Sequence, residues 1–472
     1  MRLSVKTKAG YAAAGIGDAA SYTFIGTYLL FFLTTVVGMD PVMAGTVSAI
    51  GAFWDTLWSP VMGFISDRSY TRWGRRIPFI FAAAFPLAAA NCFLFMTVDA
   101  GETFRFIYYS VMVIIFWTAF CAFFNPYLAL GAEVTDDYHE RTSLRGFTSI
   151  MNMVGMMVGM VLPTVIVDAL CNAGASIGCA WQTTGAIIGI ISFVSLMVTV
   201  FTLKTKDKDF KAIPRKRKKR FLITGIKAMI REYKEIIMLK PLQKLIFVAL
   251  VFLCAHTIIS SGRIYFLTYN LGFSPVQITI VLSATMLMSM ATTPAVIRLS
   301  RRYDKRRTFL GLMLFSSLCV FAAKFLGIDS MADMLLLVFV FAWGNTVYWQ
   351  LMPSMIYDVC EVDELYSGKR REGAISSLLS LSEAFSGAVS MQAMGVILGY
   401  VGFDGESATQ GEPALSWIES LLTSVPGVIM ALSALLMLLY PVTKEKFDEI
   451  MKALEKRRSG AKLDKSDYPI KK

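Results

Sequence analysis

Ionisable side chains are scarce in the long apolar runs of this chain, so the few that occur stand out: Asp18, Asp55, His256, Arg263 and Glu383. A carboxylate in such a setting has three uses. It offers paired acceptors to vicinal hydroxyls, oxygen ligands to a hard cation such as Na⁺, or a site for a proton where burial disfavours its charge. Around Asp55 the chain reads Phe53-Trp54-Asp55-Thr56-Leu57-Trp58-Ser59-Pro60, and a cationic turn, Arg72-Trp73-Gly74-Arg75-Arg76, follows soon after. An ionisable group within hydrocarbon is expensive and is read as functional by default. Ser59 adds a hydroxyl that can ligate a cation with less charge than a second carboxylate.

The elements that position these groups follow from composition. Of 472 residues, 55% are hydrophobic and 17% charged, against roughly a quarter charged in soluble domains. The chain is therefore an all-α membrane protein. A helix needs about 20 mainly apolar residues to cross a bilayer, which predicts about twelve spans. These fall near 11–37, 43–66, 77–98, 104–130, 146–168, 182–203, 243–269, 275–299, 308–328, 333–356, 373–402 and 416–441. The first run is too long for a signal peptide and carries no small-residue cleavage site.

The net charge of +12 collects in alternate loops: Lys6 and Lys8 before the first span, Arg68 to Arg76 after the second, Lys204 to Lys240 after the sixth, Arg301 to Arg307 after the eighth, and the tail. That distribution is a topology signal, placing both termini in the cytoplasm of a multi-pass plasma (inner) membrane protein. It argues against a nucleic-acid partner, for which a basic face interleaved with aromatics is expected. Neither a nucleophile–base pair, a His/Cys cluster nor a phosphate-binding glycine loop occurs, so an enzyme, a resident metal and a cofactor are not expected. Cys171 and Cys179 share one loop and either pair or stand as ordinary thiols.

The basic stretch 205–242 separates an N-terminal six-helix bundle (1–204) from a C-terminal one (243–441), followed by a tail (442–472). The halves repeat weakly. Asn125-Pro126-Tyr127 with Glu133 and Arg141 after the fourth span corresponds to Met352-Pro353-Ser354 with Asp358 and Arg371 after the tenth. Parallel six-helix repeats joined by a cytoplasmic linker are the plan of the major facilitator transporters. Gly63 and Asp67 followed by Arg72, Gly74, Arg75 and Arg76 look like that fold's signature between spans two and three, where ion pairs that break and reform gate the inner side.

A narrower likeness follows. Gly15-x-Gly17-Asp18, Trp54-Asp55 with Ser59-Pro60-x-Met62-Gly63, Trp73-Gly74-Arg75-Arg76-x-Pro78, Pro126-Tyr127-x-Ala129-Leu130-x-x-Glu133 and Gly368-Lys369-Arg370-Arg371-Glu372-Gly373 resemble the glycoside–pentoside–hexuronide:cation symporters, the melibiose carrier family. The resemblance spans nearly the whole chain. It implies that Asp18 binds sugar hydroxyls and that Asp55 coordinates the coupling ion, H⁺ or Na⁺. The family's second span-two carboxylate falls at Ser59, a span-four carboxylate at Phe124, a span-five arginine near Thr148 or Ser149, and a span-eleven cation at Ala384.

Other polar groups stand elsewhere: His256 and Arg263 in span seven, Asn345 and Gln350 in span ten, Glu383 in span eleven. Spans one, two, seven and eleven are expected to face one cavity. Arg263 is expected to pair with Asp18 or Glu383, and Trp54 and Trp349 to stack on a ring. The expected solute-binding set is thus Asp18, Trp54, Arg263, Asn345, Trp349 and Glu383. Asp55 and Ser59 serve coupling, with Asp55 the Na⁺ ligand if Na⁺ is used. Asp67, Arg72, Arg75, Arg76, Glu133, Arg141 and Asp358 serve gating. Glycoside, sugar or uronide symport by a monomer is the leading expectation. A carrier of a lysolipid-like amphiphile or other organic solute is the alternative, and a non-transporting sensor a weaker one.

Overall fold

The computed structural model describes residues 3–69, 74, 76–134, 138–203, 233–368, 371–405, 407 and 409–458. It is built from helices: α1 (Val5–Phe31), α2 (Pro41–Arg68), α3 (Ile77–Leu94), α4 (Glu102–Glu133), α5 (Tyr138–Asn172), α6 (Ile177–Leu203), α7 (Lys240–Tyr265), α8 (Pro275–Tyr303), α9 (Lys305–Leu326), α10 (Met331–Ser367), α11 (Glu372–Tyr400), α12 (Glu412–Leu422), α13 (Ser424–Met437) and α14 (Lys444–Arg458). Helices α1 and α7 each end in a π-helical turn, Phe32–Val36 and Phe266–Asn270.

Among the described residues eleven helical stretches are long and apolar enough to cross a membrane, one of them Glu412–Met437, in which α12 and α13 run on. The 28-residue α2 falls outside that set. Its Asp55, Ser48, Ser59, Thr46 and Thr56 dilute an otherwise apolar helix, and the candidate chemistry rests on two of them, Asp55 and Ser59.

Local sequence sets the helix ends. The Ser4 hydroxyl accepts the amide of Thr7 at the start of α1 (3.2 Å). Asp40 accepts the amides of Val42 and Met43 at the start of α2, with Pro41 in the first turn, where a missing amide hydrogen does no harm. Ser330 and Asp333 form a reciprocal capping box on α10, which closes at Gly368 in a left-handed conformation (φ 70°).

Contacts group the described chain into two units. The first takes in Met1–Ile213 with Ser260–Ser283 and Ala388–Glu419; the second takes in Pro214–Ile259 with Ala284–Gly387 and Ser420–Lys472. In the first, α1 packs on α5 and α6, α3 on α4 and α6, and α2 on α4. Glycines permit the close approaches. A methyl group at Gly155 would lie 2.4 Å from the Ile16 carbonyl oxygen, and one at Gly159 would lie 2.3 Å from that of Ala20. Gly185 and Gly189 meet α3 in the same way, at the carbonyls of Asn91 and Ala88. Both glycine pairs thus serve helix packing, as small residues four apart do in membranes.

In the same unit, the ends of α7, α8 and α11 are fastened to the first helices. The hydroxyls of Thr34 and Tyr265 lie 2.7 Å apart, and those of Thr164 and Thr279 2.6 Å apart. A methyl at Gly395 would come 2.3 Å from the Pro41 carbonyl oxygen. In the second unit, α9 packs on α10 and α13, and α14 lies against α10.

Candidate functional site

Asp55 and Ser59 stand one turn apart on α2, facing Cys121 and Asn125, also one turn apart, on α4. The Cys121 thiol donates to Asp55 Oδ1 across 3.0 Å. Ser59 and Asn125 are joined three times: the carboxamide Nδ2 donates to the Ser59 hydroxyl (3.0 Å) and to its carbonyl oxygen (3.1 Å), and the hydroxyl lies 3.2 Å from Asn125 Oδ1 as a donor. Trp54 gives its indole hydrogen to Thr118 (2.9 Å) and stacks on Trp58, with ring centroids 5.6 Å apart. Four residues of α2 thus engage α4 or one another. Pro60 and Pro126 lie within these helices and have no amide hydrogen for the carbonyls of Thr56 and Ala122, leaving two backbone acceptors without their usual helical bond. The cluster offers a carboxylate, a hydroxyl, a carboxamide and a thiol inside a membrane-spanning unit.

Sequence reasoning assigned Asp55 and Ser59 but missed Cys121 and Asn125. A lone cysteine in an apolar run reads as packing. The available signal was the four-residue spacing of Cys121 and Asn125, which matches that of Asp55 and Ser59 and puts each pair on one helix face.

Asp18 is buried, 7% exposed, and among the described residues no group hydrogen-bonds its carboxylate. It belongs to a stripe of α1, Tyr11, Gly15, Asp18 and Tyr22, whose spacing keeps all four on one face. Tyr11 stacks on Tyr127 of α4 (4.6 Å) and donates to its carbonyl oxygen (3.1 Å). Tyr22 meets Trp117 edge-on (5.9 Å) and Phe120 (6.0 Å).

Arg263 does not join Asp18. It is 2% exposed, and its electrostatic neighbour is Tyr28, ten residues and roughly 15 Å beyond Asp18 along α1. Tyr28 in turn donates to the Met160 carbonyl oxygen. The expected pairing with Asp18 assumed that two opposite charges in one membrane interior must meet, whereas the guanidinium lies at the depth of Tyr28.

The second unit carries its own polar and aromatic groups. Tyr348 stacks on Phe252 (4.3 Å) and meets Trp349 edge-on (5.3 Å), and Trp349 meets His256 edge-on (6.0 Å). Glu383 on α11 is half-buried and lies close enough to the Tyr348 phenol to interact with it electrostatically. Asn345 reaches toward the Ser289 hydroxyl (3.5 Å), and its carboxamide oxygen is buried without a hydrogen bond among the described residues. Gln350 is exposed.

Of the gating residues, Arg72 and Arg75 lie outside the described residues, as do the side chains of Asp67, Glu133 and Arg141. Arg76 is buried and donates to the Ser66 hydroxyl (2.9 Å), tying the start of α3 to the end of α2. Asp358 pairs with Lys305 (2.6 Å), which bridges α10 to the start of α9. Beside them, burial reinforced by Asp358 and Asp304 pushes the Tyr440 phenol well above its ordinary range, so it stays neutral. A buried ion pair joins Arg371 to Asp363 in two parallel hydrogen bonds, with Glu235 on a further guanidinium nitrogen (3.2 Å). Cys171 and Cys179 are not bridged. Among the described residues no group of three or more His, Cys, Asp or Glu side chains could hold a metal ion.

The fold matches that of known carriers. A solved structure of a bacterial homologue of the human lysosomal transporter Spinster, in an inward-facing and unoccupied conformation, shares the fold with a TM-score of 0.64 at 14% identity, covering 92% of this chain and 96% of that one. Three curated relatives align over almost the full length. The putative glycoside/cation symporter YagG of Escherichia coli (strain K12) is 25% identical over 97% of this chain and 96% of its own. The isoprimeverose transporter of Lactiplantibacillus pentosus is 24% identical over 92% and 88%. The sodium-dependent lysophosphatidylcholine symporter 1 of Gallus gallus is 25% identical over 97% and 90%. The family described as MFS/sugar transport protein matches residues 10–444. The chain belongs to that family: it is a membrane transporter of the major facilitator fold with two helix bundles, and not an enzyme.

Proposed function

We propose that the protein carries a glycoside, sugar or uronide across the plasma (inner) membrane by cation-coupled symport, cycling by alternating access as a monomer with both termini in the cytoplasm. The observation that carries this reading is the Asp55 carboxylate, held by Cys121 beside the Ser59–Asn125 pair within a membrane-spanning bundle. A charged group so placed is retained for ion handling. The boundaries 1–204, 205–242, 243–441 and 442–472 remain the functional division, with α2 and α4 in the half that handles the ion.

Asp55 and Ser59 serve coupling, and the proton is the favoured ion. The thiol already occupies one carboxylate oxygen and the carboxamide occupies Ser59. A proton needs a single oxygen. A Na⁺ ion prefers several oxygen ligands, and here the thiol and the carboxamide compete with it for Asp55 Oδ1 and the Ser59 hydroxyl. Asp18 binds solute hydroxyls, with Trp54 and Arg263 as further candidates in its unit and Asn345, Trp349 and Glu383 in the other. Arg76 and Asp358, with Asp67, Arg72, Arg75, Glu133 and Arg141, serve gating.

A second reading is an amphiphile. The lysophosphatidylcholine symporter aligns as well as the sugar carriers do. In the first unit an apolar groove runs between α2 and α11, lined by Ala49, Ile50, Phe53, Ala388 and Val389. Proteoliposome uptake of labelled isoprimeverose, glucuronic acid, methyl glucoside and lysophosphatidylcholine decides between them. Carbohydrate uptake driven by a proton gradient is expected, and uptake of the lysolipid alone contradicts the leading reading.

A further inference from the structure

Two buried polar groups face the Asp18 stripe from neighbouring helices. The Tyr127 hydroxyl on α4 is buried beside the hydroxyls of Tyr11 and Thr148, lies near enough to Asp18 to interact with it electrostatically, and makes no hydrogen bond of good geometry among the described residues. Thr148, its neighbour on α5, spends its own hydrogen on the Leu144 carbonyl (3.0 Å). Asn152, one turn further along α5, presents a carboxamide oxygen that is likewise buried and without a partner among the described residues. That oxygen sits where a side chain at Gly15 would begin, 2.2 Å from the position of a Cβ, so the glycine one turn before Asp18 is what admits it. Tyr127 is held rigidly by Tyr11 and Phe123, whose rings stack on it at 4.6 and 5.5 Å. Buried polar groups left unmatched cost about 1–3 kcal/mol each, and such groups in one place need a reason.

We infer that Tyr127 and Asn152 bind the solute together with Asp18 and select it by its hydroxyl groups. This rests on the carbohydrate reading above and makes it specific. The phenol donates; the carboxamide oxygen and the Asp18 carboxylate accept. The complement of that set is a ligand with at least two hydroxyl donors and one acceptor oxygen at neighbouring positions, as any ring with free vicinal hydroxyls provides. A phosphocholine headgroup has no hydrogen-bond donor and leaves both acceptors unmatched. On the other side of Asp18, Tyr22 with Trp117 and Phe120 supplies an aromatic wall for the ring's C–H face.

The test uses the full-length carrier in proteoliposomes, with methyl glucoside, its 2-, 3-, 4- and 6-deoxy analogues, isoprimeverose and lysophosphatidylcholine as probes. Wild type is expected to discriminate against particular deoxy analogues. Tyr127→Phe keeps the ring and its stacks, and should raise KM for the parent sugar about fivefold to tenfold, the worth of one hydrogen bond, with kcat little changed. It should also abolish the penalty against one deoxy analogue, a readout that a purely structural role would not move. Asn152→Leu should relax a different position. Wild-type KM and an unchanged deoxy profile in Tyr127→Phe overturn the inference and leave the carbohydrate reading standing. Wild-type uptake of lysophosphatidylcholine with no carbohydrate uptake overturns both.

Discussion

Cys121 and Asp55 face each other across 3.0 Å, the thiol hydrogen directed at the carboxylate oxygen, at the junction of α2 and α4. The contact gives Asp55 a neutral donor in place of a cation, and among the described residues it is the hydrogen bond that the carboxylate receives. A weak, polarizable donor steadies the side chain while leaving the second oxygen for the transported ion.

Removing that donor tests its role. Cys121→Ala should lower steady-state accumulation of solute about fivefold, the equivalent of about 1 kcal/mol, while exchange down a concentration gradient continues. The ratio of gradient-driven uptake to exchange in proteoliposomes measures the effect.

Asp18→Ala separates solute binding from coupling. Its carboxylate is the candidate hydroxyl acceptor on α1, so the variant should bind solute at least tenfold more weakly, as judged by equilibrium binding to purified protein. Its unfolding temperature should hold or rise, because a buried carboxylate without a hydrogen bond among the described residues is removed.

The Arg371–Asp363 pair has side-chain exposures of 5% and 1%. Asp363→Ala takes both parallel hydrogen bonds of this pair away from a buried guanidinium, a loss of about 3–5 kcal/mol. Thermal unfolding in detergent should show a large drop, and replacing both residues by apolar ones of similar volume should recover most of it.

Packing through glycine is testable in the same assay. Gly159→Val forces a side chain onto the Ala20 carbonyl oxygen and should destabilise the α1–α5 contact by about 1–3 kcal/mol or more. Gly26→Ala, in α1 with open space around it, should be tolerated.

Much of this architecture was legible in the residues. Apolar runs of spanning length and alternating basic loops announce a polytopic carrier, and the glycine pairs of α5 and α6 announce close helix contacts. The partners of the buried charges were harder to read. Of the two carboxylates expected as partners of Arg263, Asp18 lies at another depth: sequence says nothing of depth within a helix, and ten residues of α1 separate Tyr28 from Asp18. Cys121, Asn125, Tyr127 and Asn152 are unremarkable as single letters in apolar runs. They become informative once helix faces are drawn, because each lies opposite Asp55, Ser59 or the Gly15–Asp18 stripe.

The central claim is that Asp55 couples an ion gradient to solute movement. It is tested most directly by comparing wild type and Asp55→Asn in proteoliposomes under separately imposed proton and Na⁺ gradients, with labelled isoprimeverose and methyl glucoside inside and out. Wild type should accumulate solute under the proton gradient, and Asp55→Asn should lose accumulation under either gradient while still exchanging solute at equilibrium. Undiminished accumulation by Asp55→Asn would contradict the account.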